Sequence, residues 1–479
     1  MQLADSGWSS IRRIGMSATV LLLAGCATFS SDGGFASVEQ TARDRLGKDI
    51  VWPKTEAEQQ TVAERVNELA AKPLSVDDAV QIALLNNKGL QASYFDLGIS
   101  ESSLVQAGRL PNPHFSMTRT SLVEQGVRLS TVDQALTINV FALLTIPQAL
   151  KIERRRFEQS QRAVALEVLR VASDTRKAYY SALAAEETVR YSRQVNETAQ
   201  VGADLARRMR EVGNFTKLQQ AREQGFYADA ALNLARAERS WVAARERLTR
   251  LLGLSGEQTQ FTLPERLPDL PKAPKELPDV EQTALAQRID LQMVRLETEA
   301  LASNLGLTRA TRFINVLEAG FARERAGPRG APWANGYEIG FEIPLFDFGT
   351  SKVRRAEAIY MQAVNRAAEA AVNARSEVRE AYLGYRTNYD IARHYREEIV
   401  PLRQRIADEN LLRYNGMLIG VFELLADARA QIASVNASIE ALRDFWMAQA
   451  DLDMALIGRP NMMIAPSAGA VAPEAGAAH

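Results

Sequence analysis

The 479-residue chain is nearly balanced in charge, with 57 basic and 58 acidic residues, and is 46% hydrophobic. That balance lacks the basic stripe that marks nucleic-acid binding, so no nucleic-acid partner is expected. Three histidines, His114, His394 and His479, are too scattered for a metal cluster. The chain also has no phosphate-cradling glycine loop, His-Glu-x-x-His pair or nucleophile elbow, so no enzyme, cofactor or metal site is expected.

At the N-terminus, Arg12 and Arg13 precede an apolar run from Met16 to Leu23, too short for a permanent membrane span. Leu23, Ala24, Gly25 and Cys26 then resemble the lipobox of bacterial lipoproteins, in which cleavage leaves an acylated cysteine at the mature N-terminus. The competing reading is an ordinary thiol in an export or internal segment. On the lipobox reading, residues 1–25 are a signal peptide and 26–73 a lipidated extension; Ala27 after the cysteine favours outer-membrane delivery. Cys26 is the only cysteine, so no internal disulfide can form.

From residue 74 the chain is duplicated. Arg176, Ala178 and Tyr179 return as Arg379, Ala381 and Tyr382, an offset of 203. Gly213, Phe215, Leu218, Ala221 and Arg222 return as Gly420, Phe422, Leu425, Ala428 and Arg429 at 207, and Ile146-Pro147 returns as Ile343-Pro344 at 197. Ala83, Leu84, Leu90 and Gln91 match Ala284, Leu285, Leu291 and Gln292 at 201. Collinear matches at nearly one spacing define a first repeat, 74–262, and a second, 281–458. The proline-rich stretch 263–280 reads as an extended linker, and the tail 459–479 lacks a periodic apolar face and reads as disordered.

Each repeat is expected to run helix, strand, strand, long helix, turn, long helix. Ser75 is placed as an N-cap, with Asp77 and Asp78 in the first helical turn. Strands are expected at 114–122 and 135–144, then at 314–323 and 337–343, because apolar and polar residues alternate there. In the second of these, Leu136, Ile138, Val140 and Ala142 would share one face, opposite Thr137, Asn139 and Phe141. In the fourth, Tyr337, Ile339, Phe341 and Ile343 would lie opposite Glu338, Gly340 and Glu342. Gly and Pro are absent from 148–201, 350–383 and 421–457, so these read as long helices; the first would extend about 80 Å. Val168, Val171, Thr175, Ala178, Ala182, Ala185 and Val189 step by three and four along one seam. Val364, Ala368, Ala371, Arg375, Val378, Tyr382, Tyr385 and Tyr389 do so along another, and seams of this period face neighbouring helices.

Ten-residue strands with dyad alternation suit a transmembrane barrel. Four strands cannot close one, and an open edge in lipid leaves backbone groups unpaired at several kcal/mol each. Either the sheet packs on the helices, or several chains contribute four strands apiece: eight strands from two, twelve from three. The polar residues Asn139, Glu338 and Glu342 are the candidate lumen-facing side chains.

Several motifs together resemble the TolC-type family of outer-membrane efflux factors, lipoprotein branch. They are "IPLFDFG" (343–349) at the strand-to-helix junction, "RYNGMLIGVFELLADA" (413–428) at the last turn, and "LSVDDAVQIALLNNKGLQAS" with "AGRLPNPHFSM" in the first repeat. The likeness covers roughly residues 74–458. It implies a mostly α fold with membrane β: duplicated long-helix hairpins forming a trimeric α-helical barrel, and four strands per chain in a 12-stranded transmembrane β-barrel. It further implies a lipid-anchored protein of a Gram-negative outer membrane reaching into the periplasm. It would be a passive exit duct for efflux, or for type I-like secretion, as a homotrimer with a periplasmic adaptor and an inner-membrane RND-type pump. Relative to Tyr414, Glu423 takes the place of the family's first acidic gate residue; Ala426 stands where the second is usual, with Asp427 one step beyond. The first repeat offers Lys217 instead. Hairpin tips near 207–220 and 410–423 are the expected docking surfaces. The alternative is a periplasmic coiled-coil adaptor or structural lipoprotein, although adaptors usually carry one hairpin flanked by β-rich modules.

Overall fold

Long helices and one small sheet make up the computed structural model, which describes residues 28–124, 127–313, 316–328 and 330–460. Cys26 and most of the tail, with His479, lie outside the described residues. The chain divides into two compact units. One comprises Met1–Val171, Leu252–Thr262 and Leu285–Arg375; the other comprises Ala172–Leu251, Leu263–Ala284 and Ser376–His479. Each unit draws on both halves of the sequence.

The first unit opens with α1 (Phe35–Leu46), α2 (Glu56–Ala70), α3 (Val76–Asn86) and α4 (Lys88–Ala107). Thr55 and Glu58 form a reciprocal capping box at the start of α2. Ser75 caps α3 as expected, its Oγ accepting from the Asp78 N–H at 3.1 Å, with Asp77 and Asp78 in the first turn. Val80, Ile82, Ala83 and Leu84 of α3 and Leu90 and Leu97 of α4 are buried. Asn86 closes this core onto the end of the first repeat: its Nδ2 donates to the carbonyls of Leu252 (3.1 Å) and Gly253 (2.7 Å).

The same unit carries the sheet: β1 (His114–Glu124), β2 (Val127–Asn139), β3 (Leu317–Gly327) and β4 (Ala334–Phe341), ordered β1-β2-β3-β4 and antiparallel throughout. β1 and β4 are edges with no partner strand among the described residues. Two sequence expectations are corrected here. The strand expected at 135–144 ends at Asn139, and Val140 already opens a helix, so Val140, Phe141 and Ala142 belong to no sheet face. The strand expected at 337–343 ends at Phe341, leaving Glu342 and Ile343 beyond it. In both cases alternation ran on past the point where strand pairing stops: Asn139 and Phe341 mark the helix-bearing end of the sheet, and β3 begins opposite them at Leu317 and Glu318.

α5 (Val140–Glu211) is 72 residues long and tolerates Pro147 in its third turn. It passes from the first unit into the second, where α6 (Lys217–Leu252) follows. After α7 (Val280–Gln287) and α8 (Ile289–Thr311), α9 (Thr350–His394) is followed by one π-helical turn, Tyr395–Ile399. Then come α10 (Val400–Asn415) and α11 (Val421–Ile457). The π turn immediately precedes Pro401, whose ring cannot donate and crowds the preceding turn; the extra residue absorbs that conflict. Among the described residues no helix is long and apolar enough to cross a membrane.

In the second unit the seam of tyrosines does not face another helix alone. Tyr385 and Tyr389 are 1% and 2% exposed and pack on Phe445 of α11, with ring centroids 5.5 and 5.8 Å apart. Their hydroxyls, however, hold the segment between the repeats. The Lys275 N–H donates to the Tyr385 hydroxyl at 2.9 Å, and the Tyr389 hydroxyl donates to the Lys272 carbonyl at 2.9 Å. Trp446 Nε1 adds a bond to the Pro268 carbonyl at 3.1 Å, and Leu267 and Leu270 are buried. The proline-rich stretch has no regular structure, as expected, but it is strapped down: prolines leave carbonyls without local partners, the Tyr389 hydroxyl and Trp446 Nε1 donate to two of them, and the Tyr385 hydroxyl takes up a backbone N–H.

Candidate functional site

The pairing register fixes what each face of the sheet presents. Phe115, Leu136, Phe321 and Tyr337 stand in one cross-strand row; Ile138, Ala319 and Ile339 form the next, and Leu317 pairs with Phe341. Phe115, Leu136, Phe321, Tyr337, Ile339 and Phe341 are all exposed large apolar side chains, Tyr337 at 90%. A soluble sheet would hide such a face. The opposite face carries His114, Thr137, Gly320 and Glu338 in one row and Thr118, Asp133, Glu324 and Ala334 in another, with Asn139 opposite Glu318. Gly320 permits the close approach of β3 to β2, since a Cβ there would lie 2.3 Å from the Leu136 carbonyl oxygen. Four carboxylates, Asp133, Glu318, Glu324 and Glu338, thus share the face away from the apolar row.

Two strand-to-helix junctions leave the sheet at the end where β3 begins. In the first, Asn139 is both the last residue of β2 and a cap, its Oδ1 accepting from the Ala142 N–H at 2.8 Å. In the second, a loop separates β4 from α9. There Asp347 accepts from the Gly349 N–H at 2.8 Å and from the Ser351 hydroxyl at 3.0 Å, and Gly349 sits at φ 72°. Phe346 and Phe348 of this loop are exposed. Glu342 donates its backbone N–H to the Val316 carbonyl at 3.4 Å, just past the strand.

The helical hairpins end in two five-residue turns built alike. In the first, Gly213 takes the left-handed conformation, and the Val212, Gly213 and Asn214 N–H groups donate to the carbonyls of Arg208, Arg210 and Met209. In the second, Met417 takes it at φ 59°, and Gly416, Met417 and Leu418 donate to Leu412, Tyr414 and Arg413. These three bonds recur at an offset of 204. The sequence match pairing Gly213 with Gly420 at 207 is therefore corrected for the turn itself: Met417 occupies the place of Gly213.

This offset changes which residues correspond. It sets Glu223 of α6 against Asp427 of α11, a carboxylate in the first repeat that the sequence match concealed. Glu223 is buried and pairs with Arg429 at 3.3 Å, while the Arg429 guanidinium lies 4.3 Å from the Phe226 ring centroid. Asp427 accepts from the Asn410 side-chain amide across α10 and α11. Lys217 and Glu423 are exposed near the first residues of their helices, and Tyr414 is exposed in the last turn of α10. Among the described residues, none of Lys217, Tyr414, Glu423 and Asp427 bonds another of the four. Counting residues from each helix start, rather than matching glycines, is the signal that would have revealed Glu223.

An open-edged antiparallel sheet with an apolar exposed face and a carboxylate-bearing opposite face, continued by two long helical hairpins, has the architecture of outer-membrane channel subunits. The family described as Outer membrane efflux protein matches residues 79–254 and 280–452, and the chain belongs to it. The cobalt-zinc-cadmium resistance protein CzcC of Cupriavidus metallidurans is 27% identical over 281 residues. That match covers 58% of this chain and spans 64% of the relative's length. The fold is shared with CusC (TM-score 0.68, 17% identity, 80% of this chain and 92% of that one). It is also shared with the Campylobacter jejuni CmeC outer membrane channel (TM-score 0.65, 16% identity, 87% and 91%).

Proposed function

We propose that the chain is one subunit of a trimeric outer-membrane exit duct that passively conducts efflux substrates out of the periplasm. The observation that carries this is the sheet: four strands with two unpaired edges and an exposed apolar face. Lipid tolerates such a sheet only if sister strands satisfy its edges. Three copies make a twelve-stranded wall, apolar face to lipid, carboxylate face to the lumen. The two long hairpins of each chain continue the wall as a helical tunnel, with tips at 212–216 and 416–420 meeting a periplasmic adaptor and, through it, an RND-type pump. Lipidation of Cys26 adds a membrane anchor. Tyr414, Glu423, Asp427 and Lys217 belong to the constriction at those tips, and its opening is a population shift driven by docking. Asn139, Glu338 and Glu342 line the path with the other carboxylates.

The cargo fits divalent metal cations. Asp133, Glu318, Glu324 and Glu338 put four negative charges per chain on one face, which concentrates cations in a lumen; the CzcC relative is named for cobalt, zinc and cadmium resistance. The test is a planar bilayer holding the purified protein under a salt gradient. Cation-selective conductance from a detergent-stable trimer is the expected result, with selectivity falling in Asp133→Asn/Glu324→Gln. A monomer that neither inserts nor conducts overturns the reading.

A further inference from the structure

The apolar face of the sheet is not apolar to its end. Beyond the Phe115-Leu136-Phe321-Tyr337 row come Met117, Gln134, Arg323 and Asn335, and beyond these Arg119, Val132 and Arg325. Strand alternation places Arg119, Arg323 and Arg325 on the same face as the exposed aromatics and opposite Asp133 and Glu324. The two signs of charge are thus sorted across the sheet. Among the described residues, none of the three arginines forms an ion pair. Arg323 instead donates Nε to Gln134 Oε1 at 2.7 Å, and both Arg323 and Arg325 lie over the Trp333 ring, 4.7 and 5.1 Å from its centroid.

Unpaired arginines on a lipid-facing surface cost free energy at mid-bilayer and little at its edge. From Leu317 to Arg325 strand β3 climbs about 27 Å, or about 19 Å of height at a tilt near 45°. Arg325 and its row partner Arg119 therefore stand at the far rim of the apolar band, with Arg323 one row inside it, at the end of the sheet away from the strand-to-helix junctions. Trp333, partly exposed beside them, is a residue type that sits at headgroup level. Arginine forks match phosphate oxygens two at a time, and carboxylates that could compete are on the other face.

We propose that Arg119, Arg323 and Arg325, flanked by Trp333, form an external seat for a phosphate-bearing lipid headgroup of the outer leaflet. This rests on the sheet being the lipid-facing wall proposed above. In a ring of three chains the seat repeats three times, so the duct would hold a collar of anionic lipid around its outer mouth. The collar fixes the depth of the wall and supplies the negative partners that the protein itself places only on the lumen side.

The full-length protein is reconstituted in nanodiscs of phosphatidylcholine mixed with a phosphorylated glucosamine-based lipid. The control is the same lipid stripped of its phosphates. Lipid retained on the extracted trimer is then weighed by native mass spectrometry, with bilayer conductance recorded in parallel. Wild type is expected to retain the phosphorylated lipid over the stripped one, and Arg323→Gln/Arg325→Gln to lose that preference by about tenfold or more. Conductance should be unchanged in this variant, since the arginines face away from the lumen. Arg323→Lys/Arg325→Lys should retain an intermediate preference, keeping charge without the fork. Equal retention of both lipids by wild type, or undiminished preference in the glutamine variant, overturns the seat while conductance leaves the duct intact. Loss of insertion and conductance by wild type would instead overturn the duct.

Discussion

The two repeats solve the same two problems differently. At the first strand-to-helix junction the chain passes from β2 into α5 without a loop, because Asn139 can end the strand and cap the helix at once. At the second, the residues from 342 to 349 form a loop whose exit depends on Gly349: a Cβ there would lie 2.4 Å from the Arg312 carbonyl oxygen. The tips reverse the pattern. The first turn spends a glycine on its left-handed position, Gly213, whereas the second places Met417 there. A duplicated sequence thus conserves backbone geometry while moving the residue that permits it. Sequence identity between repeats is a poor guide to equivalence wherever a turn intervenes.

Breaking the second junction should have the largest effect. Gly349→Ala combines a positive φ with a backbone clash and should cost about 3 kcal/mol, read as loss of assembled protein on heating. The buried carboxylate of the first hairpin, Glu223, comes next. Glu223→Ala strands Arg429 half-buried over Phe226 and should cost about 2 kcal/mol, less than a fully buried pair because Arg429 still reaches water. Glu423→Ala, at an exposed site, should leave the unfolding midpoint unmoved, and equal effects of the two would undo the assignment. Asn139→Ala removes a cap and should cost about 1 kcal/mol, while Asn139→Asp should not. Met417→Gly should stabilise the second tip by about 1 kcal/mol, and Gly213→Ala should destabilise the first by a similar amount. Opposite signs in thermal melts are the test of their equivalence.

The smallest effect is a pH dependence in the second unit, where α11 ends. Burial, opposed by Lys275 and Arg176, holds the Asp453 carboxyl above its ordinary value of 3.8. Burial likewise raises Asp451 against its 2.8 Å bond to Lys177. A raised carboxyl binds its proton more tightly folded than unfolded. Its cost to stability is absent in acid and appears as pH climbs through the raised value. Asp453→Asn should therefore raise the melting temperature at pH 8 and leave it unchanged near pH 3; the reverse order would contradict the cause given.

Much of the molecule was legible from residue order alone. Ser75 with Asp77 and Asp78 specified a helix start, the glycine- and proline-free spans from 350 and 421 specified long helices, and alternation located all four strands. These signals are local: a cap bonds three residues away, and a strand or helix face depends on the period of its own side chains. What only the tertiary structure decided involves partners distant in sequence. Alternation could not say that β2 stops at Asn139, because the stop is set by where β3 begins opposite it. The period of Tyr385 and Tyr389 could not say that their hydroxyls strap the proline-rich segment. Nor could the matched glycines of the tips show that Glu223 meets Arg429, or that arginines and carboxylates are sorted to opposite faces. Periodicity determines that a residue faces a partner; packing between remote segments determines which partner it meets.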